Sequence, residues 1–200
     1  MIRESIHVKE ADTKHPVLDV IRKRWSARSF SHQPVSQETL EQLFEAASWA
    51  PSSMNDQPWT YVYAHRGEEA FDKMIDCLNV GNQPWAKNAA VMLLSLSKKL
   101  HHNGHPNPHH MHDTGAANML LMLEAVSHGI YGHVMGGFNV AKTRETFHVP
   151  MDQDIVGFIA LGYLDDAEKL EEPFHTRELT PRKRKPLNEV ALHAGVYRTQ

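Results

Sequence analysis

The chain of 200 residues has a single cysteine, Cys77, which excludes an intrachain disulfide and suits a reducing compartment. No apolar run approaches the roughly 18 residues that a membrane-spanning helix requires, so no membrane is expected as a partner. Positive charge is not in surplus either, since 21 Lys and Arg face 24 Asp and Glu for a formal net charge of -3. A duplex binder needs an electropositive face, so nucleic acid is not an expected partner. The start, Met1-Ile-Arg-Glu-Ser5, lacks the apolar core of a signal peptide, and a cytoplasmic location is the expectation. Glycine and proline, 11 of each, are too few for a collagen-like or low-complexity chain. The phosphate-binding motifs G-x-G-x-x-G and G-x-x-x-x-G-K-[ST] are missing, and so is a G-x-S-x-G elbow.

What is present is enough for one domain with a real core: 41% hydrophobic and 22% charged residues. Residues 1–15 are polar and patternless and read as an arm. Val17, Val20, Ile21 and Trp25 recur at helical spacing and predict a helix from about Pro16 to Trp25, followed by an extended piece through Phe30. Ser36 is placed as an N-cap, with Val35 and Leu40 as the hydrophobic staple of a helix that Pro51 stops. Residues 59–64, aromatic and β-branched, predict a strand, and Phe71, Met74, Ile75 and Leu78 mark an amphipathic helix. Cys77 falls on that helix, where a half-buried structural thiol outweighs a reactive one. The apolar run 89–96 predicts a strand covered on both faces. Between Asp113, as N-cap, and Gly129, as C-cap, lies a helix that is apolar nearly all round and must be enclosed on every side, in the centre of the domain or in a subunit interface. Residues 155–163 predict the last strand, and 164–186, with little periodicity, read as a wrapping tail. Few strands and several helices without strict alternation favour α+β.

Four segments carry chemistry. Arg24-Trp25-Ser26-Ala27-Arg28 puts two guanidinium groups and a hydroxyl on alternate residues, which in an extended chain point the same way. Such a fork suits a phosphate or polarised carbonyl, although a solvated basic helix end has the same composition. Pro51-Ser52-Ser53-Met54-Asn55-Asp56-Gln57-Pro58-Trp59 is dense in small hydrogen-bonding groups, which is also the composition of a plain turn. Gly136 and Gly137 would let a backbone amide approach a flat ligand, or mark a bulge. Arg182-Lys183-Arg184-Lys185 is a short basic run, of a kind that is usually just solvated.

In this order the segments resemble the FMN-dependent nitroreductase family, over roughly residues 15–190. R-W-S-A-R-S-F, A-P-S-S-M-N-D-Q-P-W, G-G-F, Ala160-Leu161-Gly162-Tyr163 and R-K-R-K-P-L carry the resemblance. It implies a nitroreductase-like α+β fold, a small mixed sheet flanked by helices, in a domain-entwined homodimer with FMN sites built from both chains. It also implies an N-terminal arm at 1–15 and an FMN-binding domain at 16–190, with 164–190 wrapping as its C-terminal tail. By the resemblance Arg24, Ser26 and Arg28 reach the flavin phosphate, ribityl chain and pyrimidine edge, and Trp25 belongs to the same motif. Ser52, Ser53, Asn55 and Gln57, with Pro51 before them, would come from the partner subunit. Asn82 would bond the pyrimidine ring, and Met135, Gly136 and Gly137 would lie along the isoalloxazine near N5. Arg182 and Arg184 would hold the phosphate. The expected activity is hydride transfer from NADH or NADPH through FMN to a small-molecule acceptor such as a nitroaromatic or quinone, with no side chain named as acid or base. A non-catalytic flavin-binding or redox-sensing protein, and a histidine-rich metal-handling protein, are the competing readings.

Histidine is the one type out of line, with 15 in the chain. His101, His102, His105, His109, His110 and His112 crowd one Pro- and Asn-rich stretch. Imidazoles bind zinc or nickel, but the spacing follows no structural zinc pattern and favours a solvated loop or pocket wall.

Overall fold

The computed structural model describes residues 2–194. Its helices are α1 (Ile2–Lys9), α2 (Asp19–Lys23), α3 (Gln37–Ser48), α4 (Glu69–Cys77), α5 (Gln83–Ala86), α6 (His110–Ser127), α7 (Val140–Thr146), α8 (Phe174–Leu179) and α9 (Leu187–Val190). The strands are β1 (Trp59–His65), β2 (Val91–Lys98), β3 (Ile130–Met135) and β4 (Gln153–Tyr163). They form one sheet in the order β1-β2-β4-β3. The α+β class stands, and every ladder is antiparallel where a mixed sheet was expected. The reason is topological: β2 and β3, the two strands joined through α6, run parallel to each other, but β4 inserts between them.

The apolar run in β2 is covered on both faces, and its period of two divides the core. Met92, Leu94 and Leu96 join Trp25, Phe71, Trp85 and Phe158 on one face. Val91 and Leu93 join Leu40, Leu43, Leu121 and Ile159 on the other. Helix α3 begins as expected, with the Ser36 hydroxyl accepting from the Thr39 N–H at 3.1 Å and Val35 and Leu40 both buried.

Several boundaries differ from the sequence reading. The polar arm contains α1, which packs on α8, because Lys9 Nζ caps the carbonyls of Arg177 and Thr180 at 2.6 Å each. Helix α2 is only five residues long, since the chain must extend to meet the sheet: Phe30 bridges Leu164, and Ser31 N–H donates to the Tyr163 carbonyl. Strand β3 was not anticipated, and the tail is partly helical. Helix α6 starts at His110 with His109 as its N-cap, because Asp113 is occupied elsewhere. It ends at Ser127 with His128 as its C-cap, followed by Gly129 at a φ of 72°, a left-handed residue that closes a helix. Within one chain Met111 and Met119 remain exposed on it. Cys77 is fully buried rather than half-buried. Among the described residues no helix is long and apolar enough to cross a membrane.

Candidate functional site

The segment after α2 alternates as an extended chain must. Trp25, Ala27 and Ser29 are buried, while Arg24 and Arg28 are half-buried and Ser26 is exposed. The inward side chains lock the segment in place. Trp25 lies 4.3 Å from the Tyr131 ring and donates from Nε1 to Glu178 Oε1 at 3.3 Å. The Ser29 hydroxyl donates to the Asp166 carbonyl at 2.7 Å. The outward face therefore offers Arg24, Ser26 and Arg28 together. Trp25, expected among ligand-binding residues, has its side chain in the core instead.

Arg24 lines a cleft of about 490 Å³ with Arg182, Arg184, Met119 and residues 11–13. Arg24 and Arg184 enter no ion pair with any described residue. Burial and the adjacent Arg184 charge both push the Arg24 guanidinium down. Like charges held together without a counter-charge are what an oxyanion site requires. Arg182 is committed differently: its two terminal nitrogens donate to the carbonyls of Arg24 and Arg22 at 2.6 Å, and its Nε is buried without a partner. It clamps the tail to the extended segment.

The residues 52–57 form a second group. Met54, Asn55 and Gln57 all have φ near 50°. Local bonds hold this shape: Gln57 N–H donates to the Ser52 hydroxyl at 3.0 Å, and Ser53 N–H to Asp113 Oδ2 at 2.9 Å. Asn55 and Gln57 line a shallow pocket with Trp49 and Glu45, which shares no residue with the arginine cleft. Within one chain the two groups are not brought together. Pro51 leads into this segment and is exposed.

A third group does converge. Asn82 Nδ2 donates to the Gly137 carbonyl at 3.1 Å, and Asn79 N–H donates to the same oxygen at 3.0 Å. A Cβ on Gly137 would stand 3.0 Å from Asn82 Nδ2, so a larger residue here would push the Asn82 side chain aside. Gly136 is exposed beside it, whereas Met135 turns into the core and offers only its backbone.

The sequence profile of the Nitroreductase family matches residues 21–79 and 73–163. The chain belongs to the nitroreductase family. A solved oxidoreductase containing FMN is similar at 35% identity and a TM-score of 0.88, over 94% of this chain and 96% of that one. A protein of Archaeoglobus fulgidus, named by inference an NADH dehydrogenase/NAD(P)H nitroreductase, is 27% identical over 78% of this chain and 89% of its own. The FMN reductase [NAD(P)H] of Bacillus subtilis is 44% identical over 69 residues, 34% of this chain and 26% of that protein.

On this nitroreductase scaffold three residues escaped the sequence reading. Glu178 is buried, accepts from Trp25 Nε1 and from Arg28 N–H at 3.2 Å, and is pushed up by burial. His133 donates from Nδ1 to the Ala27 carbonyl at 3.0 Å and packs 4.5 Å from the Trp85 ring. Burial and the charge of Arg28 lower it to about 4, so it is a neutral donor. The Arg28 guanidinium lies 5.8 Å from the centre of the Trp85 ring. Asp56 meets His101 and His102. Each of these pairs spans 45 residues or more, a distance at which no local pattern signals the partner. The other histidines scatter: His110 Nδ1 is 3.0 Å from the Ser97 hydroxyl, and His112 Nδ1 is 3.0 Å from Asp113 Oδ1. Among the described residues no three His, Cys, Asp or Glu converge as a metal-binding set.

Proposed function

We propose that this nitroreductase is an FMN-dependent NAD(P)H oxidoreductase that works as a homodimer. The observation that carries the reading is the unpaired arginine cleft beside the outward face of residues 24–28. Its donor chemistry fits a flavin mononucleotide, whose phosphate needs a fork of cations. The similarity to an FMN-containing oxidoreductase over nearly the whole chain supports it independently.

Arg24 and Arg184 would hold the phosphate, with Ser26 and Arg28 along the rest of the cofactor. Asn82 would bond the pyrimidine edge, with Gly136 and Gly137 beside the ring system. Ser52, Ser53, Asn55 and Gln57 would face the partner's cofactor, which accounts for their separation from the arginine cleft within one chain. Residues 16–190 would form one FMN-binding domain, closed by 164–190. FMN bound there supplies hydride acceptance from NADH or NADPH and reduction of a nitroaromatic or quinone, in two successive half-reactions. The positive charge of Arg28, lodged over Trp85 and partly desolvated, is placed to stabilise negative charge on the pyrimidine side. Gly137 leaves a close backbone approach open, and Glu178 orients the Arg28 backbone without touching the ligand.

The test is the absorbance of the purified protein after dialysis, followed by steady-state NADH and NADPH oxidation with nitrobenzene and a quinone. A yellow protein that turns over both acceptors is expected. A colourless protein that fails to take up added FMN would refute the reading.

A further inference from the structure

Two histidines converge on one carboxylate. His101 Nδ1 and His102 Nδ1 each hydrogen-bond one oxygen of Asp56, and the His102 backbone N–H donates to Oδ1 at 3.2 Å. The Asp56 side chain is 3% exposed and its carboxyl is held well below the usual carboxylate range by these hydrogen bonds. Asp56 lies between Asn55 and Gln57, whose φ values of 56° and 48° are sparsely populated by residues other than glycine. Such a segment persists only where its surroundings over-determine it. Its other outside tie is at the far end, where Ser53 N–H meets Asp113. The histidine loop is itself braced, with His101 N–H donating to the His105 carbonyl and Asn107 N–H to that of Lys99, both at 2.8 Å.

We infer that His101 and His102 are positioning residues, which act through Asp56 to hold Asn55 and Gln57 in the conformation that receives the cofactor. The inference rests on the FMN reading above and deepens it by naming what holds the partner-facing segment of that same site. Asp113, with His112 beside it, braces the other end of the segment from α6.

The experiment uses His102, whose side chain is 69% exposed and whose replacement leaves the core intact. His102→Ala removes the contact. His102→Asn keeps an N–H donor where Nδ1 stood. FMN affinity is read by flavin fluorescence at one fixed pH, and hydrogen exchange of amides 53–57 is read in the FMN-free protein. His102→Ala should bind FMN roughly fivefold more weakly, a magnitude set by one partly screened hydrogen bond to a carboxylate. It should also exchange amides 53–57 faster. His102→Asn should restore wild-type exchange and most of the affinity. A role confined to folding would move the melting temperature and leave affinity and the exchange of amides 53–57 unchanged, which overturns the inference. A wild type that binds FMN, with His102→Ala matching it in affinity and exchange, overturns this inference alone. A wild type that binds no FMN overturns the reading above together with it.

Discussion

Arg182 donates to the carbonyl oxygen of Arg24 at 2.6 Å, so the tail grips the backbone of the segment whose side chain it was expected to assist. The two arginines of the basic run therefore have different tasks. Arg182→Ala should cost about 2 kcal/mol of stability, because two charged hydrogen bonds to carbonyls are lost. Residues 164–186 should become sensitive to limited proteolysis. Arg184→Ala should leave the melting temperature unchanged and weaken FMN roughly tenfold, with Arg184→Lys restoring only part. If the two variants behave alike in both assays, this division of labour is wrong.

Asn55 tests the second group of residues. A plain Asn55→Ala confounds two effects, since alanine at a φ of 56° adds backbone strain of about 1 kcal/mol. Asn55→Gly removes the side chain without strain. Asn55→Gly should lose FMN affinity while its unfolding midpoint in urea stays within error of wild type. Full flavin occupancy after dialysis would remove Asn55 from the site.

His133 gives stability a pH dependence. Its folded value is about 4 against 6.5 for the free side chain. Between those values the unfolded chain binds a proton that the folded protein does not, so stability falls with falling pH across this window. The contribution is fully present above about 6.5 and amounts to roughly 3 kcal/mol lost once pH is below 4. His133→Asn keeps a donor for the Ala27 carbonyl and should flatten the stability profile between pH 6.5 and 4. Parallel profiles of wild type and variant from urea titrations would contradict it.

Association is tested at Met119, which is exposed on α6 and borders the arginine cleft. A homodimer should sediment at twice the mass of 22.8 kDa at micromolar concentration. Met119→Asp should shift it toward the monomer and weaken FMN in parallel, if both chains build the site. A monomeric wild type with FMN bound would refute the dimer.

Much of the fold follows from patterns that are local in sequence. The unbroken apolar run of β2, the cap at Ser36 and the alternation of Arg24, Ser26 and Arg28 each depend on neighbours a few residues away. A period of two or 3.6 encodes which side chains face inward before any partner is known. The sequence read less well where apolar periodicity met a competing demand. Val17 and Ile21 have helical spacing, yet the chain extends from Arg24 because Phe30 and Ser31 must pair with Leu164 and Tyr163.

By itself, then, the sequence determined the α+β class, the strongly periodic elements such as α3 and β2, and the ordered motifs that mark the family. Only the tertiary structure decided what each polar group does. Trp25 turns inward to Glu178, Arg182 is consumed by the carbonyls of Arg22 and Arg24, and Asp113 leaves its cap to hold Ser53. Asp56 meets histidines that lie 45 and 46 residues away. The physical reason is that apolar burial is non-directional and shows as a local period, whereas a hydrogen bond is directional and needs a particular partner atom within about 3 Å. That partner is brought there by the fold, from any distance along the chain.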